Sequence, residues 1–294
     1  MYSLAIYSLF CNVMAVLYIE RMPAYDPTSN AQTLLQDSTQ PLFPDILWSQ
    51  PETKAFAGKL LIIGGNLHSV ALPNIAYTTA LTSGAGEVKV VMPDATKRYF
   101  DLRSPNHQIL FADSTPSGSF SQEALPAMLA YAAWADCICI VGDSTKNSET
   151  AQMYAALLPQ IDQSVVICGD SFDTLLPYST HASRLLKGIL VVTFSQLQKF
   201  AIALGYDIPL TSTLVAMQFT NWLQQFTSEC QLTIVTHSKE VLYVAHDKTV
   251  ITTRPIKQPN DQEFTKIAVR SGIWAMQQPE KTTEAIATSF VAYN

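Results

Sequence analysis

Three short polar turns carry the chemistry this chain has to offer: Gly64-Gly65-Asn66, Gly142-Asp143-Ser144 and Gly169-Asp170-Ser171. Each follows directly on an apolar, β-branched run, at residues 60–63, 137–141 and 164–168. A strand that ends in glycine brings its loop to the carboxyl edge of an open α/β sheet, where such sheets hold ligands. Glycine lets backbone N–H groups converge on a phosphate, and a carboxylate placed there can act as acid or base. The same residues also read as plain structure: Gly64-Gly65 as a turn, Asp170 as the cap of the segment it opens. Both readings remain open at this level.

Positioning these turns requires a sheet, and the pattern supplies one. Residues 60–63 form a continuous apolar run, as expected of a strand buried on both faces. Residues 69–83 follow with Ala71, Ile75, Ala76, Thr79 and Ala80 at helical spacing, then Gly84-Ala-Gly86 and a second strand at 88–92. This βαβ seed is extended by strands at 108–111, 137–141, 164–168, 188–193 and 232–236. Helices are expected at 123–135, 148–158, 195–204 and 211–229. Residues 240–245 and 248–253, joined at His246-Asp247, read as a hairpin at the sheet edge, and helices at 263–277 and 279–292 close the chain. The alternation points to one mostly parallel, doubly wound sheet with helices on both faces, from about residue 42 to 294.

Composition narrows the function classes. Apolar residues make up 48% and charged residues 14%, the signature of a chain with a large core. A net charge of −6 without a basic cluster argues against nucleic-acid binding. The five cysteines include no Cys-x-x-Cys, so packed, reduced thiols in the cytoplasm are expected, and the scattered histidines suggest no metal site.

Residues 1–41 are read as an apolar segment and a polar arm. Residues 3–19 are almost wholly apolar, but no basic residue precedes them and Asn12 interrupts them. A signal peptide and a membrane span each fit poorly, and membrane attachment is not expected. The reading preferred here is a native start at Met22, with residues 1–21 outside the native chain. Residues 26–40, rich in Ser, Thr, Asn and Gln, look like a surface arm.

The run Gly58-Lys-Leu-Leu-Ile-Ile-Gly-Gly-Asn66 through Gly84-Ala-Gly-Glu-Val88, together with the order of elements, resembles the ADP/ATP-dependent NAD(P)H-hydrate dehydratases of the ribokinase-like superfamily. The likeness spans roughly residues 42–294 at low similarity. It implies a three-layer α/β/α sandwich, ATP or ADP as cofactor, and hydrated NADH or NADPH as substrate. In that family the added hydroxyl is phosphorylated and phosphate is then eliminated. The resemblance implies substrate or nucleotide contacts at Gly64, Gly65, Asn66, Gly142, Asp143, Asp170, Thr193, Thr236 and Gly272.

The departures from the family pattern all run one way. The family's catalytic aspartate lies in Gly-x-Gly-Asp-x-x-x-Gly; with Gly272 set on the last glycine, Ala268 takes the aspartate's place. Asn260-Asp261 offers a carboxylate in another register, without the flanking glycines. Gly142-Asp143-Ser144 stands for Gly-Pro-Gly, and at ~4 Å from a phosphate the Asp143 charge costs on the order of several kcal/mol. Asp170 matches the second acid of Asp-Ala-Asp. Thr193 keeps its place in Thr-Pro-His-x-x-Glu, while Ser195 and Gln198 replace the histidine and the glutamate. Thr236-His237 stands for Lys-Gly. Only 11 glycines occur in 294 residues, about half of ordinary usage. The expectation is a divergent dehydratase-like protein with catalysis weakened or lost. The alternative is a non-catalytic nucleotide- or cofactor-binding protein, or a partner in a homo-oligomer, on the same fold.

Overall fold

The computed structural model describes residues 31–100, 108–144, 146–178 and 188–292. The expectations for residues 3–19 and for a start at Met22 lie outside the described residues. The strands are β1 (Gln32–Asp37), β2 (Lys59–Ile63), β3 (Glu87–Pro93), β4 (Ile109–Ala112), β5 (Cys137–Ile140), β6 (Ser164–Cys168), β7 (Ile189–Thr193), β8 (Thr233–Ser238), β9 (Val241–His246) and β10 (Thr249–Arg254). The helices are α1 (Pro44–Trp48), α2 (Ala71–Thr82), α3 (Leu125–Ala132), α4 (Ser148–Leu157), α5 (Asp170–Leu175), α6 (Phe194–Ala203), α7 (Ala216–Cys230), α8 (Asp261–Gln277) and α9 (Thr282–Ala292).

All ten strands join one sheet, in the order β1-β10-β9-β8-β7-β6-β5-β2-β3-β4. Both pairings of β9 are antiparallel and the other pairings are parallel, so within the described sheet β9 alone runs against its neighbours. The alternation of strand side chains builds two cores. Leu61, Ile63, Ile138 and Ile140 pack against α3 to α7 through Met128, Tyr154, Phe172, Phe200 and Trp222. Leu60, Ile62, Cys137 and Cys139 face α2, α8 and α9 through Ala76, Ala268, Trp274 and Ile286. Each such fully buried aliphatic side chain is worth about 1.5–3 kcal/mol relative to exposure. Three layers result, helices on both faces of a mostly parallel sheet.

One segment differs from its sequence reading. Residues 32–37, taken from composition as part of a surface arm, form β1 and pair in parallel with β10. Gln36 explains the difference. It is buried, its Nε2 donates to Thr253 Oγ1 (3.0 Å) and to Ala287 O (2.7 Å), and its Oε1 accepts from Leu42 N (3.0 Å). A polar side chain thus does the inward packing that hydropathy alternation assigns to an apolar one. Among the described residues no helix is long and apolar enough to cross a membrane.

Candidate functional site

The loops after β5, β6 and β7 and the first turns of α2 and α8 enclose a cleft of about 350 Å³ at the carboxyl edge of the sheet. Asp143, Gly169, Asp170 and Thr193 line it, as do Asp173, Ser195, Gln196, Lys199 and Asp261. This is where a doubly wound sheet holds its ligands.

The turn after β2 is built around Asn66. Its Oδ1 accepts from the N–H groups of His68 (2.7 Å) and Ser69 (3.2 Å), and its Nδ2 donates to Asp143 O (2.5 Å). Gly65 N donates to Gly142 O, which joins the turns after β2 and β5. Gly142 has no room for a side chain: a Cβ there would lie 2.7 Å from Leu72 Cδ1 and 3.0 Å from Asp170 Oδ1. Gly64, Gly65, Asn66, Gly142 and Asp143 are therefore one packed unit, and the side chain of Asn66 is spent within it.

Asp143 has a left-handed backbone, φ 64°, which costs on the order of 1 kcal/mol for a residue other than glycine. The conformation aims its carboxylate at α2. Oδ2 accepts from Leu72 N (2.9 Å) and from Ser69 Oγ (2.8 Å). Leu72 is the second residue of α2, whose N-cap residue Val70 supplies no side-chain cap. The positive end of that helix is thus closed by a carboxylate from the next loop, where an anion would otherwise sit.

The other long helices that start at the cleft are capped from within, each by a neutral side chain at its own N-cap that takes one N–H. At α6, Thr193 Oγ1 accepts from Gln196 N (3.2 Å) and Gln196 Oε1 accepts from Thr193 N (3.0 Å), a reciprocal capping box. At α8, Asn260 Oδ1 accepts from Glu263 N (3.0 Å) and Glu263 Oε2 accepts from Asn260 N (2.9 Å). The six-residue α5 follows Gly169, φ 66°, and begins with Asp170, whose Oδ1 accepts from Ser144 N (3.2 Å).

The charges in the cleft are mostly negative. Among its described lining residues Asp143, Asp170, Asp173 and Asp261 are acidic and Lys199 is the single cation. Lys199 Nζ lies 2.7 Å from Asp173 Oδ1, and Gln196 Nε2 donates to Asp173 Oδ2 (2.8 Å) and to Gly169 O (2.8 Å). The lysine is already paired, across an ion pair half open to solvent.

Of the anticipated residues Asp143, Asp170 and Thr193 line the cleft; Gly64, Gly65, Asn66 and Gly142 build the turns beside it without lining it, and Gly272 and Thr236 belong elsewhere in the fold. Gly272 lies deep in α8, where a Cβ would meet Val166 Cγ2 at 2.9 Å and Cys137 Sγ at 3.3 Å. Cys137 is the first residue of β5, at the opposite end of the strand from the cleft, so Gly272 serves helix–sheet packing. Thr236 is wholly buried within β8, paired with Val192 and Tyr243, and its Oγ1 has no hydrogen-bond partner among the described residues. Ala268 is also fully buried. It lies seven residues into α8, about 10 Å from the helix start at 1.5 Å per residue. The acid that does reach the cleft from α8 is Asp261, its first residue. Sequence reading did not single out Gln196, Asp173 or Lys199. The Thr193-x-x-Gln196 spacing of a capping box signals the first, whereas nothing in the sequence pairs Asp173 with a lysine 26 positions on.

No family model and no curated protein matches the sequence. Solved structures do match in shape. A ribokinase-like superfamily protein from Enterococcus faecalis is 16% identical with a TM-score of 0.67, over 87% of this chain and 85% of its own. A hypothetical protein from Streptococcus mutans is 15% identical with a TM-score of 0.62, over 83% and 84%. The ADP/ATP-dependent NAD(P)H-hydrate dehydratase of Bacillus subtilis, co-crystallised with ATP and Mg²⁺, is 12% identical with a TM-score of 0.54, over 85% of each chain. The chain has the α/β fold of these ribokinase-like neighbours.

Proposed function

We propose that this protein is a divergent relative of the NAD(P)H-hydrate dehydratases in which phosphoryl transfer is weakened or lost. The observation that carries the proposal is the Asp143 carboxylate seated on Leu72 N–H and Ser69 Oγ at the start of α2. Phosphoryl transfer is positioning plus electrostatic stabilisation of phosphate oxygens by N–H groups and cations. Here one first-turn N–H of each of α2, α6 and α8 is engaged, by Asp143, Thr193 and Asn260 in turn, and Lys199 is paired with Asp173. ATP or ADP and hydrated NADH or NADPH are the ligands this ancestry suggests, and the cleft offers their phosphates carboxylates where they require donors. A cytoplasmic setting goes with this reading, in keeping with the buried free thiols of Cys137, Cys139, Cys168 and Cys230.

The test is incubation of the full chain with hydrated NADH and ATP or ADP with Mg²⁺, following the return of dihydronicotinamide absorbance. Recovery no faster than in buffer is the expected result; protein-dependent turnover overturns the proposal. A second reading, an active dehydratase, is favoured by Asp261, which opens α8 and faces the cleft. In that reading Asp261 is the base, and Asp261→Asn removes the turnover that the wild type displays.

A further inference from the structure

A second cavity, of about 480 Å³, lies on the other side of the first turns of α2, between that helix and strands β3 and β4. It is separate from the cleft: Leu72 faces the cleft, while its neighbours Ala71 and Pro73 line the cavity. The walls are apolar and partly aromatic, made by Tyr77, Met92, Phe100 and Ile109, and no Asp, Glu, Lys or Arg is among its described lining residues. Asn74 and His68 stand at the exposed mouth.

The cavity is braced rather than collapsed. Tyr77 OH donates to the side chain of Gln108, just before β4, and Tyr99 OH donates to Leu67 O, just before α2. These two bridges tie α2 and its entry loop to the far wall at both ends. The Phe100 ring is fixed edge-on against Phe111, with centroids 6.0 Å apart and planes at 61°. Small-molecule sites span roughly 300–1,000 Å³, with apolar walls and a few polar groups that fix orientation. Aromatic rings and a methionine thioether favour flat aromatic partners. None of the described lining residues carries a full charge to compensate one, so an ionised ligand loses its hydration without return from them.

We infer that this cavity is a binding site for an uncharged, planar aromatic or heteroaromatic group, gripped by Tyr77, Phe100 and Met92 and oriented at the mouth by Asn74. Benzamide and benzoate, alike in size and differing in charge, test it, with indole as a larger neutral probe. Each is titrated into the full chain and followed by saturation-transfer NMR. Saturable binding of benzamide and indole is expected, with benzoate at least tenfold weaker. Ala71→Trp, which fills the cavity from the first residue of α2, abolishes binding while the melting temperature is kept. Should Ala71→Trp lower the melting temperature, Asn74→Trp on the exposed rim gives the same reading. Absence of saturable binding by either neutral probe, equal binding of benzoate, or binding unchanged by whichever filling variant stays folded overturns the inference.

Discussion

The Asp143 carboxylate and the backbone N–H of Leu72 are 2.9 Å apart, so the positive end of α2 is closed by an acid from the loop after β5. Sequence reading saw in Asp143 a charge that repels ligand phosphate. In the fold that charge has a place: it is the anion at the helix end. A carboxylate on that N–H takes the donor and the positive end a phosphate would use at α2, whether or not the fold's cleft persists.

Removing this carboxylate tests both parts of the claim. Asp143→Ala is expected to destabilise the fold by about 1–2 kcal/mol in denaturant melts, the usual cost of a lost N-terminal cap. Inorganic phosphate should then raise the melting temperature of the variant and leave the wild type unmoved. Equal stability of the two proteins would mean that the cap contributes nothing.

Gly142→Ala places a methyl group against Leu72 Cδ1 and Asp170 Oδ1. A loss of about 1–3 kcal/mol is expected, the ordinary cost of overpacking, since Asp170 Oδ1 is held by Ser144 N and Leu72 can shift only into the cleft. Chemical denaturation measures it, and a neutral substitution would show that the three turns are not packed as one unit.

Gln196→Ala breaks the reciprocal cap of α6 and leaves Gly169 O with the backbone N–H of Phe172 alone as donor. Destabilisation of about 1–2 kcal/mol is expected. Gln196→Glu separates the causes: it keeps the acceptor for Thr193 N, but sets a second carboxylate beside Asp173, so its deficit should shrink as salt is added. A salt-independent deficit would contradict this assignment.

Ala268→Asp, the change a register anchored on Gly272 suggests for restoring a base, has a different outcome in this fold. The position is fully buried between α8 and the sheet, so an introduced carboxylate costs several kcal/mol or stays protonated. Expression of a destabilised, inactive protein is the expected result, read by thermal melting and by the hydrated-NADH assay.

The buried thiols supply a pH signature. Burial pushes the Cys168 and Cys137 thiols up to about 12. Their contribution is fully present below the unfolded thiol value near 9 and declines as pH rises from there toward 12, because only the unfolded chain ionises readily. Stability should therefore fall above pH 9. Alkylation of the Cys168 peptide by iodoacetamide at pH 8 should be slow in the native protein and fast in denaturant; rapid native alkylation contradicts the burial.

Much of the architecture was legible because the strands of a parallel sheet are uninterrupted apolar runs, as at Leu60 to Ile63, and because glycines mark their ends. β1 was not, since the inward position of Gln36 is filled by a hydrogen-bonded amide. Within the site, the turns at Gly64, Gly142 and Gly169 were readable from strand-ending glycines, and the structure sets Asp143, Asp170 and Thr193 around one cleft. The placements of Gly272, Ala268 and Thr236 rested on spacing within weak motifs. A helix register set by one glycine fixes neither where the helix begins nor which side chain reaches its end. Asp261 reaches the cleft because α8 starts there, which the Asn260-x-x-Glu263 cap encodes.

The most direct test is calorimetric titration of the full chain with adenosine and with ADP plus Mg²⁺ under identical conditions, since the two ligands differ only in the diphosphate and its metal. With Asp143 seated on the start of α2 and four carboxylates lining the cleft, ADP should bind no more tightly than adenosine. Affinity for ADP tenfold or more above that for adenosine would show donors still free to hold phosphate, and would contradict the account.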